Sequence, residues 1–164
     1  NDVIGSIKLT YKLKSNKNGQ DVYSEPKEII ITGLKTEAQR LNGLLNSLVE
    51  GDITFNGNKN NQLPSIAPAN DKANYSYEAT KQTANKASVA INSITSDDST
   101  GQNTLNLKLV TTKTQSDLIS NWNVTNYQAP ESQSKDLVIT GFKTQSEQNK
   151  IDQEAEKQRL TNLV

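Results

Sequence analysis

Leu9, Tyr11 and Leu13 share one parity and Lys8, Lys12 and Lys14 the other, while Leu105, Leu107 and Leu109 alternate with Asn106 and Lys108. Successive side chains of a strand point to opposite faces, so both stretches predict half-buried strands with one wet face. Gly5 and Gly101 mark the turns that enter them. Asn16-Lys17-Asn18-Gly19 predicts a hairpin turn in which Asn-Gly supplies the positive φ.

Helical spacing takes over next. Ala38, Leu41, Leu44, Leu45 and Leu48 form one apolar face, preceded by the capping box Thr36-x-x-Gln39, so this helix is expected to pack on a sheet. Residues 51–70 are rich in Asn, Gly and Pro and predict a loop with a short strand at Ile53–Phe55. Tyr77, Thr80, Ala84, Ala87, Ile91 and Ile94 recur at three and four, which predicts another helix. Thr144-x-x-Glu147 opens a last one, but residues 145–150 are wholly polar and Ile151, Ala155, Leu160 and Leu163 make no clean stripe. Glu147/Lys150, Glu154/Lys157 and Glu156/Arg159 stand three apart, as side chains that meet on a helix surface do. This helix is expected to be a solvated connector whose partner lies beyond Val164.

The chain also repeats itself. Ile31-Thr32-Gly33-Leu34-Lys35-Thr36 recurs as Ile139-Thr140-Gly141-Phe142-Lys143-Thr144, a shift of 108 residues, and the strand led by Gly5 recurs behind Gly101 at a shift of 96. A strand running through Thr-Gly into a capped helix is the shared unit. The organisation expected is α+β, with small antiparallel sheets, packed helices and tandem repeat units joined by helical connectors. Residues 1–36 are the closing half of a first unit, 37–50 a connecting helix, 51–144 a complete second unit and 145–164 a connector toward a following one.

The two shifts differ by twelve, so the second unit carries twelve extra residues between about Val110 and Lys135. They include Trp122, the only tryptophan, with Leu118, Ile119, Val124 and Tyr127 around it. The insert is either an added strand whose aromatics cap the local core or a variable binding loop with an exposed aromatic anchor. Trp122, Tyr127 and Ile119 are the candidate interaction residues; Gly33, Gly141, Phe142, Thr36 and Thr144 are the structural motif.

Composition narrows the chemistry. Cysteine and histidine are both absent, which removes disulfides, thiolate nucleophiles, the commonest metal ligand and the usual general base near neutral pH. No catalytic residue, cofactor or metal is expected. Eighteen basic residues balance eighteen acidic ones without long blocks of either sign, so neither nucleic acid nor a charged membrane surface is expected as partner. Leu, Ile, Val and Phe sum to 37 of 164 residues, slightly above the roughly 20% of disordered chains, and predict small folded cores. Asp97-Asp98-Ser99-Thr100-Gly101 clusters oxygens but lacks the alternating acidic spacing of a calcium loop, so a plain turn is preferred. Glu131, Asp136 and Glu147 fall on solvated connectors, and the sequons at Asn74 and Asn123 are frequent by chance in a chain with twenty asparagines.

The order of helix, Gly-led alternating strand and Ile-Thr-Gly-Phe-Lys-Thr resembles the lipoprotein-associated type 17 domain of Mycoplasma and Ureaplasma surface proteins. Leu63-Pro64-Ser65, Gly101 with its strand, and Gly141-Phe142-Lys143 carry the resemblance over about 51–144; Leu34 departs from the pattern in the first copy. The resemblance implies tandem repeats on the outer face of a wall-less cell, tethered by a lipidated Cys upstream, and brings no catalytic residues. The expected function is a non-catalytic, surface-exposed module of a bacterial membrane lipoprotein, acting as stalk, antigen or adhesin toward a protein or host surface component. Alternatives are a structural subunit of an adhesion or motility complex and, behind it, a carboxylate-based hydrolase.

Overall fold

Residues 1–120 and 122–164 are described by the computed structural model. The chain opens with a two-stranded ribbon. β1 (Ile7–Tyr11) pairs antiparallel with β4 (Lys27–Ile31), and β2 (Lys14–Lys17) pairs with β3 (Gln20–Tyr23) at its far end. Lys17 faces Gln20 across Asn18-Gly19, both at positive φ, which is the two-residue hairpin read from the sequence.

Ribbon strands were expected to be half-buried, and here the expectation fails. Every residue of the four strands is exposed, including Leu9 at 45% and Tyr11 at 46%. Alternation predicts a strand correctly; burial needs a covering layer, and none lies over this ribbon among the described residues.

α1 (Glu37–Asn46) follows, its Thr36 cap and Gln39 satisfying each other's backbone amides as the capping box requires. Leu41, Leu45 and Leu48 turn inward and pack on β8. Residues 37–50 thus link the ribbon to the rest and also supply one layer of the core. β5 (Ile53–Phe55) pairs with β6 (Tyr75–Tyr77). After the short α2 (Ala79–Asn85), β7 (Ala87–Asp97) and β8 (Gln102–Thr111) form a long hairpin, to which β9 (Lys135–Ile139) adds. α3 (Gln115–Ile119) sits between β8 and β9, and α4 (Gln145–Thr161) ends the chain.

The helix expected over Tyr77 to Ile94 is corrected to β6, a seven-residue helix and β7. Lys86 stops α2 in the left-handed conformation at φ 47°, and the Ser-, Val- and Ile-rich run behind it suits a strand. The last step of that helical spacing was produced by a β-bulge. Ile91 pairs with Leu107 and Ser93 with Asn106, leaving Asn92 as the extra residue. A one-residue insertion turns period two into a step of three between Ile91 and Ile94.

Every member of the hydrophobic core cluster lies between Leu41 and Phe142. Leu105, Leu107 and Leu109 are fully buried between α1 and the neighbouring strands. Phe55 bridges Tyr75 and Phe142, with ring centroids at 5.1 and 5.2 Å, the second contact edge-to-face. At the far end, Asn103 is fully buried and its Nδ2 donates to the carbonyls of Pro64 and Ala69 and to the Tyr75 hydroxyl. α4 buries no residue; of the three anticipated ion pairs on it, only Glu156–Arg159 forms, at 2.7 Å.

The two stretches that share sequence also share backbone geometry. Leu34 N donates to Gly5 O at 2.9 Å, and Phe142 N to Gly101 O at 3.1 Å. Glu37 N donates to Asp2 O and Gln145 N to Asp98 O, each at 2.7 Å. Gly33 and Gly141 both hold positive φ, and Thr36 and Thr144 both cap the helix that follows.

Candidate functional site

The insert after β8 folds as a short helix and an irregular loop rather than as an added strand. Thr114 and Asp117 form a capping box, Leu118 and Ile119 bury themselves, and Ser120 ends the helix at φ 46°. Fifteen residues separate Tyr11 from Lys27 in the ribbon and twenty-seven separate the matching Leu107 from Lys135, so the twelve extra residues lie in this excursion.

Its two ends are fixed firmly. Asp2 N donates to Leu118 O at 2.7 Å, tying α3 to the amino-terminal turn. On return, Thr111 N donates to Pro130 O, Ser132 N donates to Leu109 O, and Ser132 Oγ accepts from Leu109 N. Gln133 N donates to Asn42 on α1 at 2.7 Å. Between these anchors the loop stands away from the core and encloses a groove of about 690 Å³ against the amino-terminal turn and Ala38 of α1.

All three candidate interaction residues line that groove. Ile119 is buried at its floor, and Trp122 and Tyr127 are half-buried at its walls. Val3 and Ile4 were not singled out by the sequence; they arrive through contacts distant along the chain, whereas Pro130 closes the insert three residues after Tyr127. The ammonium of Lys8 lies 4.3 Å from the Trp122 ring centroid, a cation–π contact that braces the loop on the ribbon. Behind the indole, Lys8, Thr10, Glu28 and Ser120 line a smaller polar cleft. Among the described residues Glu131 is the only carboxylate lining the groove, and Lys108 pairs with it at 2.8 Å. Aromatic walls, an aliphatic floor and an amide rim of Asn126 and Gln128 are suited to binding by stacking and dispersion.

Other singled-out residues are structural in place. Phe142 is buried in the core, and Gly33, Gly141, Thr36 and Thr144 build the strand-to-helix hinges. Asp97 accepts from the amides of Ser99 and Thr100 as a turn residue, and Asp98 accepts from Ser65 N and Oγ, binding the Leu63-Pro64-Ser65 segment to the β7–β8 turn. Asp136 accepts from Asn106, and Glu147 completes its capping box.

Two buried carboxylates escaped notice in the sequence. Glu37 is 3% exposed; burial pushes its pKa up, but the two-pronged contact from Arg40, the Thr111 hydroxyl and Lys113 together outweigh this and hold it below 4.5. Asp52 behaves alike: burial opposes its ionisation, while Lys81, the Val49 amide and Lys135 lower its pKa below 3.8. Arg40 also donates to Asn85 O at 2.6 Å, so the Glu37 network ties α1 to the carboxyl end of α2. Both sites are structural ion pairs: Glu37–Arg40 carries only the common signal of an acid three residues from a cation, and Asp52 meets Lys81 through the fold, with no local signal in the sequence.

The family model described as a lipoprotein-associated domain matches residues 1–36 and 44–144. The chain belongs to the lipoprotein-associated domain family. Its two matched stretches hold the ribbon with its hinge and nearly all of the core, including the groove-forming insert. A search of curated proteins and of solved structures returned no match. Among the described residues no helix is long and apolar enough to cross a membrane.

Proposed function

We propose that this chain is a non-catalytic, surface-exposed repeat module of a bacterial membrane lipoprotein, serving as a stalk that carries an antigenic or adhesive loop to a protein or host surface component. The recurrence of one hinge carries the reading: Gly5, Leu34 and Glu37 repeat the backbone bonds of Gly101, Phe142 and Gln145. The two Thr-Gly motifs follow strands of separate sheets, β4 and β9, as units in series require. Family membership supports the lipoprotein assignment. The Trp122 groove, formed by the insert absent from the ribbon, is the part of the module suited to contact.

Protease treatment of intact cells, followed by mass spectrometry of released peptides, tests this. Release of peptides from 120–134 without lysis is the expected result. Protection of these peptides until the membrane is opened would overturn the surface assignment.

One observation favours a second reading as a subunit of a larger adhesion or motility complex. α4 is solvated along its whole length yet leaves Ile151 and Leu160 about half exposed. A fixed partner recovered from native membranes, and lost on Ile151→Asp, would support that reading over a free stalk.

A further inference from the structure

The β1–β4 ribbon and the β8–β9 pair are the same two strands in the same register. Ile7, Leu9 and Tyr11 face Ile31, Ile29 and Lys27, while Asn103, Leu105 and Leu107 face Ile139, Leu137 and Lys135. Each β1 position lies 96 residues before its β8 counterpart, and each β4 position 108 before its β9 counterpart. Directly opposed residues share a face of a sheet, so Ile7, Leu9, Tyr11, Ile29 and Ile31 form one apolar face.

The surroundings of the two pairs differ. β8 has β7 hydrogen-bonded along its other edge and α1 packed over its apolar face, with Leu41 and Leu45 of α1 and Leu48 just beyond it in the same core as Leu105, Leu107 and Leu109. Among the described residues β1 has a free edge and a bare face. Free, apolar sheet edges invite pairing, and proteins normally cover them.

Residues 1–6 show where a cover would enter. Ser6 N donates to Asn1 O at 3.1 Å and the Asn1 nitrogen to Ser6 O at 2.7 Å. Asn1 and Ser6 therefore occupy the places of Asp97 and Gln102, the pair that closes the β7–β8 hairpin. Asp2 O accepts the Glu37 amide as Asp98 O accepts that of Gln145. Asn1 thus stands beside Ser6, just ahead of β1, as the end of β7 stands beside Gln102 at the start of β8.

We infer that the β1 edge and the Ile7/Leu9/Tyr11/Ile29/Ile31 face are a docking surface for the strand and helix of a preceding unit of the same kind, joined covalently through Asn1. The inference rests on the repeat reading above and specifies its junction. The occupant is an antiparallel strand of β7 type with a helix bearing leucines at the spacing of Leu41, Leu45 and Leu48. A second copy of this chain is the poorer occupant, because its β7 and α1 are already committed to its own β8. Leu34, the small counterpart of the core residue Phe142, is 44% exposed and would be covered in the same step.

The test fuses a copy of residues 37–97 ahead of the full chain, so that its Asp97 replaces Asn1 and runs into Asp2. Amide hydrogen exchange is then compared in β1 and β8. Pairing predicts that β1 amides slow by at least about tenfold toward β8 rates, in a protein that stays monomeric. The same fusion with Thr95→Pro in the added copy, at the residue that would face Lys8 as Thr95 faces Thr104, should lose this protection in β1 alone, since proline has no amide to give the ladder. Unchanged β1 exchange in the first fusion, with β8 still protected, would overturn the inference. So would a stable dimer of the unfused chain in which β1 is already slow, which would make the second copy the occupant. Neither result bears on surface location, which protease treatment of cells reads separately.

Discussion

Gly101 and Phe142 are locked together at the strand-to-helix hinge: the Phe142 amide donates to the Gly101 carbonyl, and a Cβ on Gly101 would stand 2.3 Å from the Phe142 carbonyl oxygen. Gly5 and Leu34 stand in the same relation, with the corresponding distance 2.1 Å. The hinge works because one residue at positive φ lets two chain segments approach at backbone distance. Gly101 keeps Phe142 directed into the core, beside Phe55.

Gly101→Ala should therefore destabilise the 37–144 unit by about 3 kcal/mol, from the left-handed backbone and the clash together. Gly141→Ala, also at positive φ but with only a lysine methylene 3.7 Å away, should cost about 1–2 kcal/mol. Urea midpoints of the two variants measure the difference.

Asn103, fully buried, donates to three acceptors. Asn103→Ala should cost about 3 kcal/mol, since it strands buried carbonyls and opens a void. Tyr75→Phe, which keeps the ring and deletes only the hydroxyl that donates to Ala69 O, should cost about 1 kcal/mol. Chemical denaturation at neutral pH distinguishes the two.

Acid should weaken the fold through Glu37 and Asp52. Both folded-state pKa values lie below the ordinary 4.5 and 3.8, so the native state binds fewer protons than the unfolded chain near those values. The stabilisation is fully present above the unfolded pKa values and is lost as pH falls through the lowered ones. Urea midpoints should be level on this account above about pH 5 and fall below about pH 4. Glu37→Gln should lower stability at pH 7 by about 2 kcal/mol and make the acid limb shallower.

Lys8→Ala should release the insert from the ribbon. The cation–π contact contributes about 0.5–1 kcal/mol locally, and Trp122 is the only tryptophan, so its fluorescence reports the site alone. Acrylamide quenching of Trp122 should increase while the urea midpoint of the 37–144 unit stays unchanged. Equal quenching in both proteins would show that Lys8 does not brace the loop.

Elements governed by local chemistry were legible in the sequence. The Asn18-Gly19 turn, the Thr36 and Thr144 capping boxes, the Ile53–Phe55 strand and the alternation at Leu105–Leu109 depend on residues within a few positions of one another, and all occur as read. Ile91 to Ile94 misled because the bulge at Asn92 is a property of the β7–β8 pair, invisible in one strand alone. The groove was half legible: Ile119, Trp122 and Tyr127 are neighbours in sequence, whereas Val3, Ile4 and Ala38 reach it only through the fold.

By itself the sequence determined the parity of the strands, the helix starts, the hinge glycines and the recurrence of one strand–hinge–helix pattern, because short-range sterics and hydrogen bonding act over a few residues. Tertiary structure alone decided which apolar faces are covered. Leu9 and Leu105 belong to the same pattern, yet the first is half exposed and the second fully buried. The difference lies in α1 and β7, which reach β8 and not β1, and burial is set by what packs across a face rather than by the residues that form it.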